Sequence, residues 1–329
     1  MKYLIVDDEH ILYKRMFRDL FYTNKYNIEE VPRVAVPKVL KPLYELHYNS
    51  RINSHFFLPG KMLWTPFYKL HKYPFKKDEQ YVIVFLNGSL RFHYSKEYLK
   101  RLKVRDNVKL VMIMYDSYVN PAAKRAFGLV EVFDLVFSFD KEDCEKFGFE
   151  HFYSTFSSNQ NVYRDDKLKS SAFFIGFASG RLKILQESFL RITSNVEGCK
   201  FYIAGVKDEE IIDIKDVIYN ETMSYDEELQ MAYNTGCIVE IVKEGQKGVS
   251  LRTCEAIAFN KKLLTNNKEL ENMPFYDKRF MRVFSSTDDI DTEFIKEPID
   301  VTYDVNDFFS PIKVIDRIDK LLNSLAEEA

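Results

Sequence analysis

Short apolar runs that end in polar or glycine-containing segments recur along the whole chain. They occupy residues 2–6, 81–86, 108–115, 135–139, 173–177, 201–204, 217–219, 237–242 and 262–265. Stretches with apolar residues at helical spacing, such as 11–22 and 96–103, lie between them. Because parallel strands are covered on both faces and are joined by helical crossovers, this alternation predicts an α/β protein with parallel sheets and helices on their faces.

The length of the chain and one polar interruption predict two domains. A chain of 329 residues, 46% of them hydrophobic, is longer than one core usually supports. Residues 157–172 are polar, lack a hydrophobic period and separate two series of apolar runs. We therefore predict an N-terminal domain over residues 1–160 and a C-terminal domain over 161–329. The proline-containing stretch from about 26 to 75 predicts little regular structure.

Charge and cysteine usage exclude several classes of protein. A net charge of −3 supplies no basic field for nucleic acid, so no nucleic-acid partner is expected. The four cysteines are scattered without a CxxC pair, and no histidines have metal-ligand spacing, which predicts reduced thiols and no metal site. The sequence does not indicate an oligomeric state.

The hydropathy of the chain predicts a cytoplasmic protein. No apolar run approaches the ~20 residues of a membrane span, and the start, MKYLIVDDEH, resembles a first strand rather than a signal peptide. The run KLHKYPFKK at residues 69–77 mixes basic and aromatic residues. Such a run suits peripheral contact with the inner face of a membrane, and a solvated loop is the alternative.

The most informative segment is EGQKGVSLRTCEAIAFNKKLLTNN at residues 244–267. A loop with Gly245 and Gly248 follows an apolar strand, and a helix is predicted over 249–259. A helix that opens from such a loop presents unpaired N–H groups and a positive dipole end, which suit a phosphate. Ser250 either caps this helix or hydrogen-bonds a ligand.

Arg252 and Glu255 lie three residues apart and so share one face of the predicted helix. An arginine can clamp a pyrophosphate, and a carboxylate can accept hydrogen bonds from two ribose hydroxyls. The alternative is a solvated ion pair behind ordinary turn glycines.

This segment resembles the donor-binding motif of GT-B glycosyltransferases, especially the group 1 type and the CgeB-like and capsular or lipopolysaccharide biosynthesis enzymes. The matching pieces are Glu244-Gly245, EAIA at 255–258 and KKLLT at 261–265. The two glutamates are further apart here than in the commonest version, and Asn260 stands where the family usually has glycine. FFIGFASGRLKILQESF at 173–189 resembles the first strand and helix of the GT-B C-terminal domain, where Gly176, Gly180 and Arg181 would approach the donor phosphates.

The resemblance implies two Rossmann-like domains facing across a cleft, with the acceptor bound by the first and a nucleotide-diphosphate sugar by the second. It also implies that the last helix packs on the first domain. The implied activity is metal-independent transfer of a sugar to a saccharide or lipid-linked saccharide acceptor in surface polysaccharide synthesis. The nucleotide sugar is a co-substrate, and no cofactor is expected. The predicted donor-site residues are Gly176, Gly180, Arg181, Glu244, Gly245, Gly248, Ser250, Arg252 and Glu255.

An inverting transferase needs a general base at a strand end of the first domain. Asp116, Asp8 and His10 are the candidates, and Asp7 is also near. A retaining enzyme needs no such base, and the sequence leaves open whether transfer inverts or retains configuration.

Two alternatives remain: a GT-B-shaped epimerase or glycerol-phosphate transferase, and a non-catalytic protein of this fold that binds a nucleotide sugar or a partner. The start is also similar to that of response-regulator receivers, but Asp116 lies too far along the chain for their phospho-acceptor.

Overall fold

Two parallel six-stranded sheets organise the chain, one in each of two structural units. The computed structural model describes residues 1–6, 10–56, 58–90, 92–120, 123–243 and 248–327. The first unit comprises Met1–Tyr153 and Pro311–Ala329, and the second comprises Ser154–Ser310.

The sheet of the first unit has the strand order β2-β1-β3-β4-β5-β6. Its strands are β1 (Lys2–Val6), β2 (Asn27–Val31), β3 (Tyr81–Leu86), β4 (Val108–Met114), β5 (Leu135–Ser138) and β6 (Glu150–His151). The direction of strand addition reverses between β1 and β3. All six residues of β3 are buried, because helices and loops cover both faces of this central strand.

Seven α-helices and four 3₁₀ segments belong to the described N-terminal part of this unit. The helices are α1 (Ile11–Met16), α2 (Lys41–His47), α3 (Ser50–His55), α4 (Asn87–Leu90), α5 (Lys96–Lys103), α6 (Lys124–Phe127) and α7 (Lys141–Phe147). The 3₁₀ segments are Arg18–Phe21, Lys61–Phe67, Lys69–Lys72 and Val130–Val132. The predicted helix over 96–103 is therefore confirmed as α5, with Ser95 as its N-cap.

The sheet of the second unit has the order β12-β11-β10-β7-β8-β9. Its strands are β7 (Ser170–Phe177), β8 (Lys200–Ala204), β9 (Val217–Tyr219), β10 (Thr235–Glu240), β11 (Lys262–Thr265) and β12 (Met281–Val283). Its helices are α8 (Leu182–Thr193), α9 (Tyr225–Asn234), α10 (Leu251–Ala258) and α11 (Thr292–Lys296), with 3₁₀ segments at Asp166–Leu168, Asp208–Glu210, Lys268–Asn272 and Thr287–Asp289. Here the direction of strand addition reverses between β7 and β10.

The last helix, α12 (Pro311–Glu327), belongs to the first unit. Ile315 and Ile318 on its apolar face are fully buried. The Tyr3 hydroxyl donates to Asp319 at 2.6 Å, and Asp316 accepts from Tyr26, also at 2.6 Å. These contacts join the end of the chain to the first strand and the segment that follows it.

Two local features differ from the sequence-based expectations. The stretch from 26 to 75 contains β2 and the helices α2 and α3. Asn87 and Gly88, a pair typical of turns, instead begin α4. Asn87 is held there because its buried side chain accepts from the Tyr115 amide at 2.9 Å, a contact from the neighbouring strand end. Across the described residues, no helix combines the length and the apolar character that crossing a membrane requires.

Candidate functional site

The strand order of the second unit identifies where a ligand would bind. In open parallel sheets, ligands bind outside the carboxyl ends of the strands, at the point where the order reverses. That point lies between β7 and β10. The loop after β7 carries Gly180 and Arg181, and the segment after β10 leads through Gly248 to α10. The topology therefore brings several predicted donor-site residues to one edge of the sheet.

Arg181 connects the two loops at this edge. Its Nε and one Nη donate to the Phe177 carbonyl at 3.2 and 3.1 Å, and its other Nη donates to the Ile241 carbonyl. Burial lowers the pKa of the guanidinium, and the charge of Glu240 partly opposes that effect. Three of the five N–H groups thus donate to carbonyls, and the other two have no hydrogen-bond partner among the described residues.

Two glycines make this position of Arg181 possible. A Cβ on Gly176 would lie 3.2 Å from the Phe174 ring and 3.3 Å from an Arg181 nitrogen, tighter than side chains normally pack. Gly180, immediately before Arg181, has φ +83°, a left-handed conformation that other residues adopt only at a cost. Both glycines therefore have a structural reason to be where they are.

Ser250 caps α10 and also contacts a buried carboxylate. Its Oγ accepts from the Arg252 amide at 3.0 Å and donates to Glu240. Glu240, the last residue of β10, is 2% exposed and also accepts from the hydroxyls of Thr253, at 2.9 Å, and Thr265. Glu240 was not among the predicted site residues, although a single acid inside the apolar run CIVEIV was a usable signal.

Glu240 changes the electrostatics expected at the start of α10. The N-terminus of that helix favours an anion, and the Glu240 carboxylate already places a negative charge beside it. A bound phosphate would have to share this end of the helix with Glu240. The first turn of α8, whose N-cap is Arg181, carries no acidic residue of its own, although the charge of Glu240 also acts on the Arg181 guanidinium. Gly248 has φ +93°, and its carbonyl accepts from Asn267 at 2.9 Å.

Arg252 and Glu255 form a buried ion pair inside the second unit. Arg252 donates to Glu255 at 2.6 Å and to Glu228 at 3.0 Å. Glu255 is fully buried, and the Arg252 side chain is 14% exposed. The alternative interpretation, an ion pair between Arg252 and Glu255, is thus correct about the two partners, but the pair is buried rather than solvated. The ribose-binding role expected of Glu255 stays a prediction.

Burial controls the ionisation of this pair. Burial raises the pKa of Glu255 to about 7, the Arg252 charge opposes that rise, and the Glu228 charge adds to it. Burial alone would lower the pKa of Arg252, but the charges of Glu255 and Glu228 outweigh it and raise that pKa. Tyr225 places its hydroxyl 3.5 Å from the second Glu255 oxygen.

The candidate catalytic residues lie near the corresponding edge of the first unit. Asp116 follows β4 and accepts from the side-chain amides of Asn87, at 2.6 Å, and Asn120, at 2.8 Å. His10 is exposed and caps α1, accepting from the Leu12 amide at 3.3 Å. Asp8, like Glu244 and Gly245 of the predicted donor site, lies outside the described residues. Among the residues that are described, no three His, Cys, Asp or Glu side chains are grouped to hold a metal ion.

Comparison with known proteins identifies the fold. No protein-family model and no curated protein sequence matches the chain. Similar solved structures include UDP-GlcNAc 2-epimerase from Methanocaldococcus jannaschii, with a TM-score of 0.53 at 13% identity over 98% of this chain and 100% of the other. Anabaena Alr3699/HepE in complex with UDP-glucose gives 0.53 at 10% identity over 98% and 100%. S. aureus MnaA with UDP gives 0.51 at 11% identity over 98% and 97%.

These similarities extend over nearly the whole chain and over nearly the whole length of each of the three solved structures. Together with the two parallel sheets, they confirm the predicted two-domain α/β fold of the GT-B type. The identities are too low to carry more than the fold. The more specific resemblance to CgeB-like and capsular enzymes stays a prediction.

Proposed function

We propose that this chain is a metal-independent glycosyltransferase of surface polysaccharide synthesis. It takes the sugar from a nucleotide-diphosphate donor bound at the carboxyl edge of the second sheet. The acceptor is a saccharide or lipid-linked saccharide, met in the cytoplasm or at the inner face of the membrane. The observation that carries this proposal is the position of Arg181 at the reversal point between β7 and β10, joined to both loops.

The chemistry of glycosyl transfer fits this position. As the sugar leaves, negative charge grows on the departing diphosphate, and fixed donors aimed at it lower the barrier. Arg181 has two further N–H groups that could donate to such an anion, and the start of α8 adds a positive dipole end. Both groups are already held in place by the protein, so little reorganisation is needed, and the charge can be neutralised without a metal.

Asp116 is the proposed base of an inverting reaction. A carboxylate has about four lone-pair positions, and the amides of Asn87 and Asn120 take one on each oxygen. The remaining positions can accept the proton of an acceptor hydroxyl. The two amides would hold the carboxylate in one orientation while it does so.

The test separates recognition of phosphate from stabilisation of the fold. We expect UDP, among a panel of UDP, GDP, CDP, TDP and CMP, to raise the melting temperature, because two solved structures of this fold contain UDP or UDP-glucose. Arg181→Ala should weaken the binding of UDP far more than the binding of uridine. Arg181→Lys should recover only part of the affinity for UDP, since an ammonium cannot make the forked contact. Arg191→Ala, at the far end of the same helix, is the control. Equal losses for UDP and uridine would reject the phosphate role.

The likeness to a UDP-GlcNAc 2-epimerase over 98% of the chain makes epimerisation the second candidate. An epimerase inverts the configuration at one carbon of the donor sugar and needs no acceptor, whereas a transferase releases the nucleotide only as the sugar is transferred. Incubation with UDP-GlcNAc alone, followed by proton NMR of the sugar, distinguishes the two. Binding with neither product would favour the non-catalytic alternative.

A further inference from the structure

A cavity of about 230 Å³ lies within the first unit, and the function proposed above does not use it. At ~30 Å³ per water in the liquid, this volume corresponds to about eight waters, which is comparable to one hexose ring with a substituent. Its lining comes from the 3₁₀ segment Lys61–Phe67 and the Tyr68 that follows it, from Leu90 and residues 92–95, and from α6 with the residue after its cap. Neither the predicted donor residues nor the candidate bases line it.

The charged lining residues are basic. Lys61 is 8% exposed, and Arg125 lies at the exposed side of the cavity. No acidic residue lines the cavity in the described part of the chain. Burial, and then the charge of Arg125, lower the pKa of Lys61 to about 8, so the two cations repel each other across this space. A bound anion would remove that repulsion.

A buried histidine also lines the cavity. His93 is 9% exposed, and its ring stacks on Tyr48 at 4.3 Å between centroids. Burial, followed by the nearby charges of Arg33 and Lys61, holds its pKa well below the usual value, so the ring is neutral. A neutral imidazole can donate or accept a hydrogen bond toward a ligand.

Aromatic rings form much of the remaining wall. Tyr68, Phe92 and Tyr94 line the cavity, and Tyr68 and Tyr94 are buried. Lys61 also lies 4.4 Å from the Tyr48 ring centroid, which keeps its ammonium in place beside an electron-rich face. An apolar wall with a few convergent polar groups is the usual composition of a small-molecule site.

We propose that this cavity binds a small anionic molecule, about the size of one hexose, that carries a carboxylate or a phosphate. Lys61 and Arg125 neutralise the anionic group, His93 hydrogen-bonds the ligand, and the aromatic rings contact its apolar face. The inference does not depend on the donor site, because all lining residues belong to the first unit and the donor residues belong to the second.

The chain contains a built-in reporter for this cavity. Trp64 is its single tryptophan, and the next residue, Thr65, lines the cavity. The indole donates to His47 Nδ1 at 2.8 Å, and the His47 carbonyl accepts from Lys61 at 2.7 Å. Ligand contact with Lys61 should therefore change the emission of Trp64.

The experiment titrates the protein with glucose 6-phosphate, glucuronate, inorganic phosphate and glucose while Trp64 fluorescence is recorded. We expect a saturable change with glucose 6-phosphate or glucuronate, and whichever of the two binds more tightly identifies the anionic group. Glucose should bind at least tenfold more weakly, because a hydrogen bond to a charged group contributes about that much. The proposal fails if glucose binds as well as both anionic sugars, or if none of the four binds.

Matched variants place the binding in this cavity. Arg125→Gln should weaken the binding of the anionic sugar about tenfold or more. Lys124→Gln, an equal charge change at the exposed preceding residue, should leave that affinity unchanged. Equal weakening by both variants, or no weakening by Arg125→Gln, would overturn the proposal. Lys61→Met should abolish binding; if it unfolds the unit, the exposed Arg125 position still decides the outcome.

Discussion

The buried Glu255 makes the protein's stability depend on pH in a direction that can be calculated. Its pKa is about 7 in the folded protein, against 4.5 ordinarily. Between these values the folded protein holds a proton that the unfolded chain has released, so the free energy of unfolding falls as the pH rises. Each pKa unit is worth about 1.4 kcal/mol. The full effect is therefore about 3 kcal/mol, of which about 2 kcal/mol lies between pH 5 and 7.5.

Glu255→Gln removes this titration while it keeps the size of the side chain. Arg252 retains its second partner, Glu228, in the variant. Urea unfolding of both proteins at pH 5 and pH 7.5 gives four free energies. The advantage of the unsubstituted protein over the variant should be about 2 kcal/mol larger at pH 5 than at pH 7.5.

The control is Glu187→Gln on α8, where the carboxylate is half exposed and pairs with Lys183 at 3.7 Å. Its double difference between the two pH values should be close to zero, because an exposed pair contributes little. If Glu255→Gln also gives a double difference below about 0.5 kcal/mol, Glu255 titrates normally and the burial argument is wrong. A difference of the opposite sign would show that Arg252 outweighs burial.

Three further predictions concern the two candidate sites. Arg252→Met leaves two carboxylates without their cation and should lower the free energy of urea unfolding by about 3–5 kcal/mol; Arg279→Met, at an exposed pair, should leave it nearly unchanged. Gly180→Ala forces a side chain into a left-handed conformation, so calorimetry should show a loss of about 1–2 kcal/mol, and an unchanged melting temperature would contradict the assigned φ. Asp116→Asn should reduce sugar transfer about 100-fold or more with donor affinity intact, and an unchanged rate would remove it as the base.

The central strands of both sheets could be predicted because their environment leaves few choices of residue. A parallel strand covered on both faces must be apolar throughout, as YVIVFL in β3 is. Three of the four edge strands, β2, β6 and β12, escaped prediction for the complementary reason, whereas the apolar edge strand β9 (VIY) was predicted. Each has a single neighbour in its sheet, and β2, with the sequence NIEEV, tolerates charges. Its identity as a strand comes from pairing with β1, which a local pattern does not contain.

The features of the candidate donor site likewise divide into those that the sequence predicts and those that only the tertiary structure sets. Local sequence was sufficient for the capping Ser250 and the pairing of Arg252 with Glu255, since each involves residues at most three apart. The confirmed two-domain fold likewise follows from the order of strands and helices. These features depend on backbone periodicity and on neighbours in the chain.

Only the tertiary structure decided what surrounds these residues. Glu240 accepts from hydroxyls 10 to 25 residues further along, and Arg252 meets Glu228, 24 residues earlier. These groups converge because the sheet order places the ends of β7, β10 and β11 side by side. Burial, which raises the pKa of Glu255, is likewise set by packing between elements that are distant in the chain. The sequence determines the elements and their local contacts, whereas the charge environment of the site arises when the sheet assembles.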